Sequence, residues 1–224
     1  MPISATSPRR DVRWVGLRPN ERREQRRVLL VDTAFDLLGT EGAAGTTVRA
    51  VCAQAALNPR YFYESFEDID ALLVAVYDHV AAQLAQAISV APIRAAKSSL
   101  DAARRGMEAI VRFIDEDRRR ARVLYVEALG NEALARHRLA MDRAAVVSLE
   151  EQAIEAAGAW PQGERVSQVG AAMLIGGISG VLRDWIDGRI AVTRDQLVDD
   201  LAELSLALGE TTEKIARRRA RSKK

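Results

Sequence analysis

Apolar residues recur along this chain at helical spacing, three and four apart, almost from end to end. Val28, Val31, Phe35 and Leu38 predict a first helix with a core-facing stripe. Asn20 is a good cap for it, Glu21 and Glu24 suit its first turn, and Gly39 and Gly42 flank its end. Thr46 or Thr47 can cap a short second helix whose inner face is Val48, Val51, Cys52 and Ala55. Ala56-Leu57-Asn58 reads as a tight turn. Asn58 then caps a third helix, and Pro59 takes its first position, where no backbone N–H is needed. Ser65 or Asp68 starts a long fourth helix through Leu72, Leu73, Val76, Val80 and Leu84, ending before Pro92. Further helical segments are expected at about 98–115, 118–130, 132–157, 163–188 and 194–209. No run alternates as a strand would. The expectation is an all-α protein of about nine helices.

Charge changes this picture more than composition does. The net +2 of the 224 residues conceals eight arginines against three acids in 9–27, and seven Lys/Arg with no acid in 214–224. The rest is net −10. Two basic ends on an acidic body suggest a polyanion met at the ends. The single cysteine, Cys52, cannot form an internal disulfide and falls on a core face. The longest nearly apolar stretch, Val169 to Leu182, is 14 residues and holds four glycines, shorter than the roughly 20 a membrane span needs. A cytoplasmic protein without a signal peptide and without membrane contact is expected. His79 and His137 stand far apart, with no metal-ligand spacing, no phosphate loop and no zinc-protease run, so neither catalytic residues, a metal nor a cofactor is expected.

The stretch TTVRAVCAQAALNPRYFYESF, Thr46 to Phe66, has the layout of a helix-turn-helix. Cys52 and Ala55 are small enough for the helices to cross, and Leu57, Phe62 and Phe66 can lock their angle. Pro59, Arg60, Tyr61, Tyr63 and Glu64 are left outside. Two tyrosines beside an arginine suit phosphate and base-edge contacts. With Arg27-Val28-Leu29, Phe35 to Gly39, Glu41-Gly42, Thr46 to Arg49, Ala55, Tyr63, Phe66 and Leu72-Leu73, the segment from about Arg22 to Val76 resembles the DNA-binding domain of the TetR (tetracycline repressor) family of transcriptional regulators.

The resemblance implies a DNA-reading set of Thr47, Arg49, Asn58, Pro59, Arg60, Tyr61 and Tyr63. Thr47 and Tyr63 would hold phosphates, Arg49 a base edge, and Arg60 and Tyr61 would face the major groove. Two positions depart from the family pattern. Ala56 stands where many members have glycine, and Ile69 where many have a phosphate-binding lysine. The basic arm, Arg9 to Arg27, is the expected replacement, since a narrow minor groove attracts arginine.

The resemblance also implies a homodimer joined through its last two helices as a four-helix bundle, with Gly177, Ile178, Val181, Leu182, Leu197, Leu201, Leu204 and Leu208 at the interface. An effector site would lie between reading head and dimer helices. Its candidate lining is Met107, Ile110, Phe113, Leu124, Tyr125, Met141, Met173 and Trp185. The expected organisation is a flexible basic arm (1–19), a DNA-binding domain (20–67), an effector-binding and dimerisation domain (68–210) and a basic disordered tail (211–224). The expected function is a repressor released from operator double-stranded DNA by an unknown small-molecule effector. A helical protein-interaction module and a small helical enzyme without DNA binding are the alternatives.

Overall fold

The computed structural model describes residues 18–157 and 165–222. Among these residues there are nine α-helices and no strand: α1 Pro19–Gly45, α2 Val48–Gln54, α3 Pro59–Tyr63, α4 Ile69–Ser89, α5 Ser99–Glu116, α6 Arg118–Ala121, α7 Glu132–Ala157, α8 Arg165–Ile186 and α9 Arg194–Arg221. The all-α expectation holds. Residues 1–17 of the expected basic arm lie outside the described residues, and its remainder to Arg27 forms Arg18 and the first turns of α1.

α1 opens two residues earlier than an Asn20 cap would place it, with Arg18 at the cap position. Pro19 takes the first helical position, and the Arg18 N–H donates to Glu21 Oε2 at 2.8 Å. Its core stripe is Leu30, Val31, Ala34, Leu37 and Leu38. Val28 was expected on that stripe but is 50% exposed. At 100° per residue it lies about 200° round from Leu30, on the far side. The helix also continues past Gly39. It bends at Gly42, whose φ of 77° suits a residue without a side chain, and resumes to Gly45.

α4 is capped by Asp68, which accepts from the Ala71 N–H at 2.8 Å, and it packs on α1, α5 and α7. It thereby ties the first three helices to the rest. In the body α5 lies along α9, α7 along α8, and α8 along α9. The segment expected as one helix over 118–130 is broken: α6 gives way to a π-turn, Arg122–Val126, and a 3₁₀ turn, Glu127–Leu129.

The C-terminal expectation is corrected. Residues 211–221 are not a disordered tail; α9 runs through them to Arg221. The apolar stripe continues, with Thr212 and Ala216 buried. Gly170 of α8 meets Thr212 so closely that a Cβ there would stand 2.6 Å from Oγ1. Glu210–Lys214 and Glu213–Arg217 pair one turn apart, and Arg218, Arg219 and Arg221 suit the negative end of the helix.

The expected dimer residues divide. Leu182, Leu197 and Leu201 are buried within the protomer, at 0%, 2% and 5% exposure, so their assignment to an interface is corrected. Leu197 and Leu201 lie on α9, which packs along α5, and all three join the main core. Gly177 and Leu204 are exposed, and Ile178, Val181 and Leu208 are half-buried. Val169, Met173, Gly176 and Gly177 share one exposed stripe of α8, with open space above the two glycines. By length and composition alone, Ile69–Ala95 and Arg165–Ile186 are long and apolar enough to cross a membrane. α4 turns that apolar character onto its own neighbours, whereas the α8 stripe has no neighbour among the described residues.

Candidate nucleic-acid interface

Three short-range caps build the reading head. Thr47 Oγ1 accepts from the Ala50 N–H at 3.1 Å and starts α2. Its neighbour Thr46 is buried and donates instead to the Gly42 carbonyl at 2.8 Å. Asn58 Oδ1 accepts from the Arg60 N–H at 2.9 Å, and Pro59 begins α3. Between them Ala56 adopts a left-handed backbone, φ 53°, which a Cβ makes costly by about 1 kcal/mol. The turn keeps its shape where a glycine would have been the easier residue.

Five residues of helix cannot hold their own angle. α3 is held from inside by Phe62 (0% exposed), with Phe66 packed on it at 5.9 Å between ring centres. Val51 and Cys52 complete that core; burial pushes the Cys52 thiol up, away from the reactive thiolate. From outside, α3 is held by α1. Arg23 donates to the Glu64 carbonyl, and Arg27 donates to the Ser65 carbonyl at 3.1 Å while stacking on the Phe66 ring. Arg26 pairs with the Glu64 carboxylate at 3.2 Å and lies 4.4 Å from the centre of the Tyr61 ring. Arg23 and Arg27 thus sit on carbonyls at the negative end of α3.

What remains outside is the expected set. Thr47, Arg49, Asn58, Pro59, Arg60, Tyr61 and Tyr63 are all exposed. Tyr61 and Tyr63, 38% and 62% exposed, flank a Phe62 that is wholly buried. Ile69 is half-buried against the core, so it offers no cation. The three arginines of α1 were not singled out in the sequence as holders of α3. Their partners are 38 to 41 residues away, and no local spacing announces such a pairing.

A second junction joins α1 to the body. Arg119 grips both oxygens of Asp117 and reaches Asp36 of α1 at 2.8 Å. Its hydrogen bonds hold the Asp117 carboxyl below the usual carboxylate range. Arg122 donates to the Thr40 carbonyl at 3.0 Å and pairs with Glu127 at 2.9 Å. The other oxygen of Glu127 accepts from the Ala43 N–H at 2.8 Å, just past the Gly42 bend. A side chain on Gly42 would meet that carboxylate.

The pocket candidates do not converge as a set. Phe113, Leu124 and Tyr125 are buried in the main core, with Met107, Ile110 and Trp185 packed against it. Burial drives the Tyr125 hydroxyl far above its ordinary pKa, and that of Tyr77 beside it up to about 12. Trp185 donates to the Val192 carbonyl at 3.1 Å. Met141 and Met173 lie on the surface, 38% and 59% exposed, and Met173 belongs to the open stripe of α8; the interior reading of these two is corrected. No group of three His, Cys, Asp or Glu able to hold a metal occurs among the described residues. His137 instead meets Asp78 at 2.5 Å, and His79 meets Gln83 at 2.8 Å.

A helix-turn-helix capped at both helices, with its exposed face polar and aromatic, has the architecture of a DNA-reading module. Residues 30–76 match the family model for bacterial regulatory proteins of the tetR family. Residues 30–76 thus carry the tetR-family module, and the chain shares its helical fold with solved regulators. A TetR-like transcriptional regulator from Rhodococcus sp. RHA1 superposes with a TM-score of 0.59 at 23% identity, over 85% of this chain and 99% of its own. The fatty acid degradation regulator FadR from Bacillus halodurans gives 0.64 at 16% identity, over 80% and 97%. The multidrug binding protein EbrR, complexed with imidazole, gives 0.61 at 18%, over 86% and 96%. No curated protein matches the chain in sequence.

Proposed function

We propose that this chain is a homodimeric repressor that reads operator DNA through α2 and α3 and is released by a small-molecule effector. The observation that carries the reading is the exposure of Tyr61 and Tyr63 beside Arg60, on a helix anchored by a fully buried Phe62. Solvation alone gives no reason to place two aromatic rings there. Thr47 Oγ1 accepts from the Ala50 N–H, so its own proton is available for a phosphate oxygen. Tyr63 would hold another phosphate, Arg49 a base edge, and Arg60 with Tyr61 the floor of the major groove.

A twofold dimer supplies two such heads for two half-sites. The open stripe of α8, with Leu204 on α9, suits a second copy of the same surface, and the glycines would permit close approach. The proposed division is a reading head up to residue 67 and a sensing and dimerising body after it, with α4 and the Arg119–Arg122–Glu127 junction joining them. Relatives of this fold include a fatty acid degradation regulator and a multidrug binding protein, which favours an organic effector in the body. Work on operator DNA places the protein in the cytoplasm, and no enzymatic activity is expected of it.

The test is binding to random duplex DNA across a range of salt. The expected result is association whose log K falls linearly with log salt, as counterions leave neutralised phosphates. No association, or association indifferent to salt, would overturn the reading. Sedimentation should find a dimer, and Met173→Glu should divide it.

A further inference from the structure

Glu64 is an acid on a surface that otherwise suits a polyanion. Its side chain is 34% exposed, and its two oxygens are used separately. One meets Arg60 Nε at 3.3 Å on α3 itself; the other meets Arg26 Nη2 at 3.2 Å, from α1. The Arg60 side chain is 83% exposed, and no other ion pair among the described residues restrains it. Arg26 is only 16% exposed, and its Nε is buried without a hydrogen-bond partner among the described residues. Leaving that donor unpaired is unfavourable, yet the geometry puts the guanidinium in contact with both the Tyr61 ring and Glu64.

A surface built only to grip phosphate gains nothing from a carboxylate. Glu64 would repel the backbone and compete for Arg60. Its nearest approach to Arg60 is, however, at Nε, and among the described residues neither terminal nitrogen of Arg60 has a hydrogen-bond partner. That pair can donate side by side to O6 and N7 of guanine. Through Arg26 the same carboxylate also fixes what lies against the Tyr61 ring.

Resting on the DNA-reading assignment of α3, we infer that Glu64 is a specificity-setting residue: it positions Arg60 to read a guanine edge and disfavours its collapse onto phosphate. Glu64 itself touches no base; it acts through Arg60 and Arg26.

The experiment starts with duplexes enriched by the wild-type protein from a random library. Affinity is then measured for the enriched duplex, for its single-base variants and for random duplex. Glu64→Gln should bind random duplex several-fold tighter, because the repulsion is gone. It should lose about tenfold in discrimination at one G·C pair per half-site. Glu64→Asp, which keeps the charge, should keep random binding weak. Arg60→Ala in the Glu64→Gln background should lose no discrimination beyond Arg60→Ala alone. Arg60→Lys, which keeps the charge but not the fork, should lose the same G·C preference with Glu64 intact. Equal loss of affinity for every sequence in Glu64→Gln, or unchanged discrimination, would overturn the inference. A wild-type protein that enriches nothing would remove the DNA-reading assignment and this inference with it. Enrichment with unaltered reading by Glu64→Gln would remove the role of Glu64 alone.

Discussion

Helix α1 meets α3 through its first turns and the body through its last, and the two junctions are built in opposite senses. At the first, α1 supplies the arginines: Arg23, Arg26 and Arg27 reach out to the carbonyls and carboxylate at the end of α3. At the second, the body supplies them: Arg119 and Arg122 reach in to Asp36 and Thr40 of α1, and Glu127 accepts from the Ala43 N–H. Glu64, the carboxylate of the first, is 34% exposed; Glu127, that of the second, is 11% exposed. An exposed network can exchange partners with a phosphate or a base edge when DNA arrives. Within the second, Glu127 alone is shielded: Arg119 and Asp36 are 40% and 52% exposed. We propose that the outer junction, set against α3, serves recognition, and that the inner one, joining α1 to the body, serves transmission. The π-turn Arg122–Val126 supports this division, because it lies between Glu127 and α6 and is a helix geometry often found where function requires it.

The contrast can be broken most forcefully at Glu127. Glu127→Ala leaves the Ala43 N–H without its acceptor and should lower stability by about 2 kcal/mol in chemical denaturation. Arg122 is 40% exposed and regains water, so the full cost of a buried ion pair is not expected. A loss no larger than that of an outer-junction variant would erase the distinction between the two. Between the junctions, Ala56→Gly relieves the left-handed backbone and should raise stability by up to about 0.5 kcal/mol after the entropy of glycine is subtracted. Its melting temperature should rise by about 1–2 °C. At the outer junction Arg27→Ala removes a carbonyl contact and a stack on Phe66, and should cost only about 0.5 kcal/mol. A cost above that of Glu127→Ala would invert the comparison.

Acid gives the finest cut. The folded-state pKa of Asp117 is depressed, so its contribution is present above the ordinary carboxylate range and lost as pH falls through its lowered value. Stability should decline below about pH 4. Asp117→Asn should make that decline shallower by under about 1 kcal/mol, as suits a partly solvated pair. An identical pH profile in the two proteins would show that Arg119 does not depend on Asp117.

Local chemistry made the reading head legible before any coordinates. The caps at Thr47, Asn58 and Asp68, Pro59 at the first position, and the apolar lock of Phe62 and Phe66 each act within a few residues, so spacing alone reveals them. Ala56 was legible as a departure, and its φ of 53° shows where the strain sits. The inner junction was not legible. Glu127 lies 84 residues from Ala43, and Arg122 lies 82 from Thr40. The proposed dimer face was half legible for a related reason. A leucine stripe says that a helix buries one side, not which neighbour covers it: Leu197 and Leu201 went to the protomer core and Leu204 to the surface. The reach of α9 to Arg221 was hidden by its charge, since a run of Lys and Arg reads as a solvated tail until Thr212 and Ala216 are seen on the buried side.

The central claim is that the face formed by Thr47, Arg49, Arg60, Tyr61 and Tyr63 is one half of a twofold DNA reader. Sequence enrichment from a random duplex library tests it most directly. The account predicts a palindromic motif whose half-sites lie about one helical turn, or a multiple of it, apart. A motif with a single unrepeated half-site, or no enrichment at all, would contradict it.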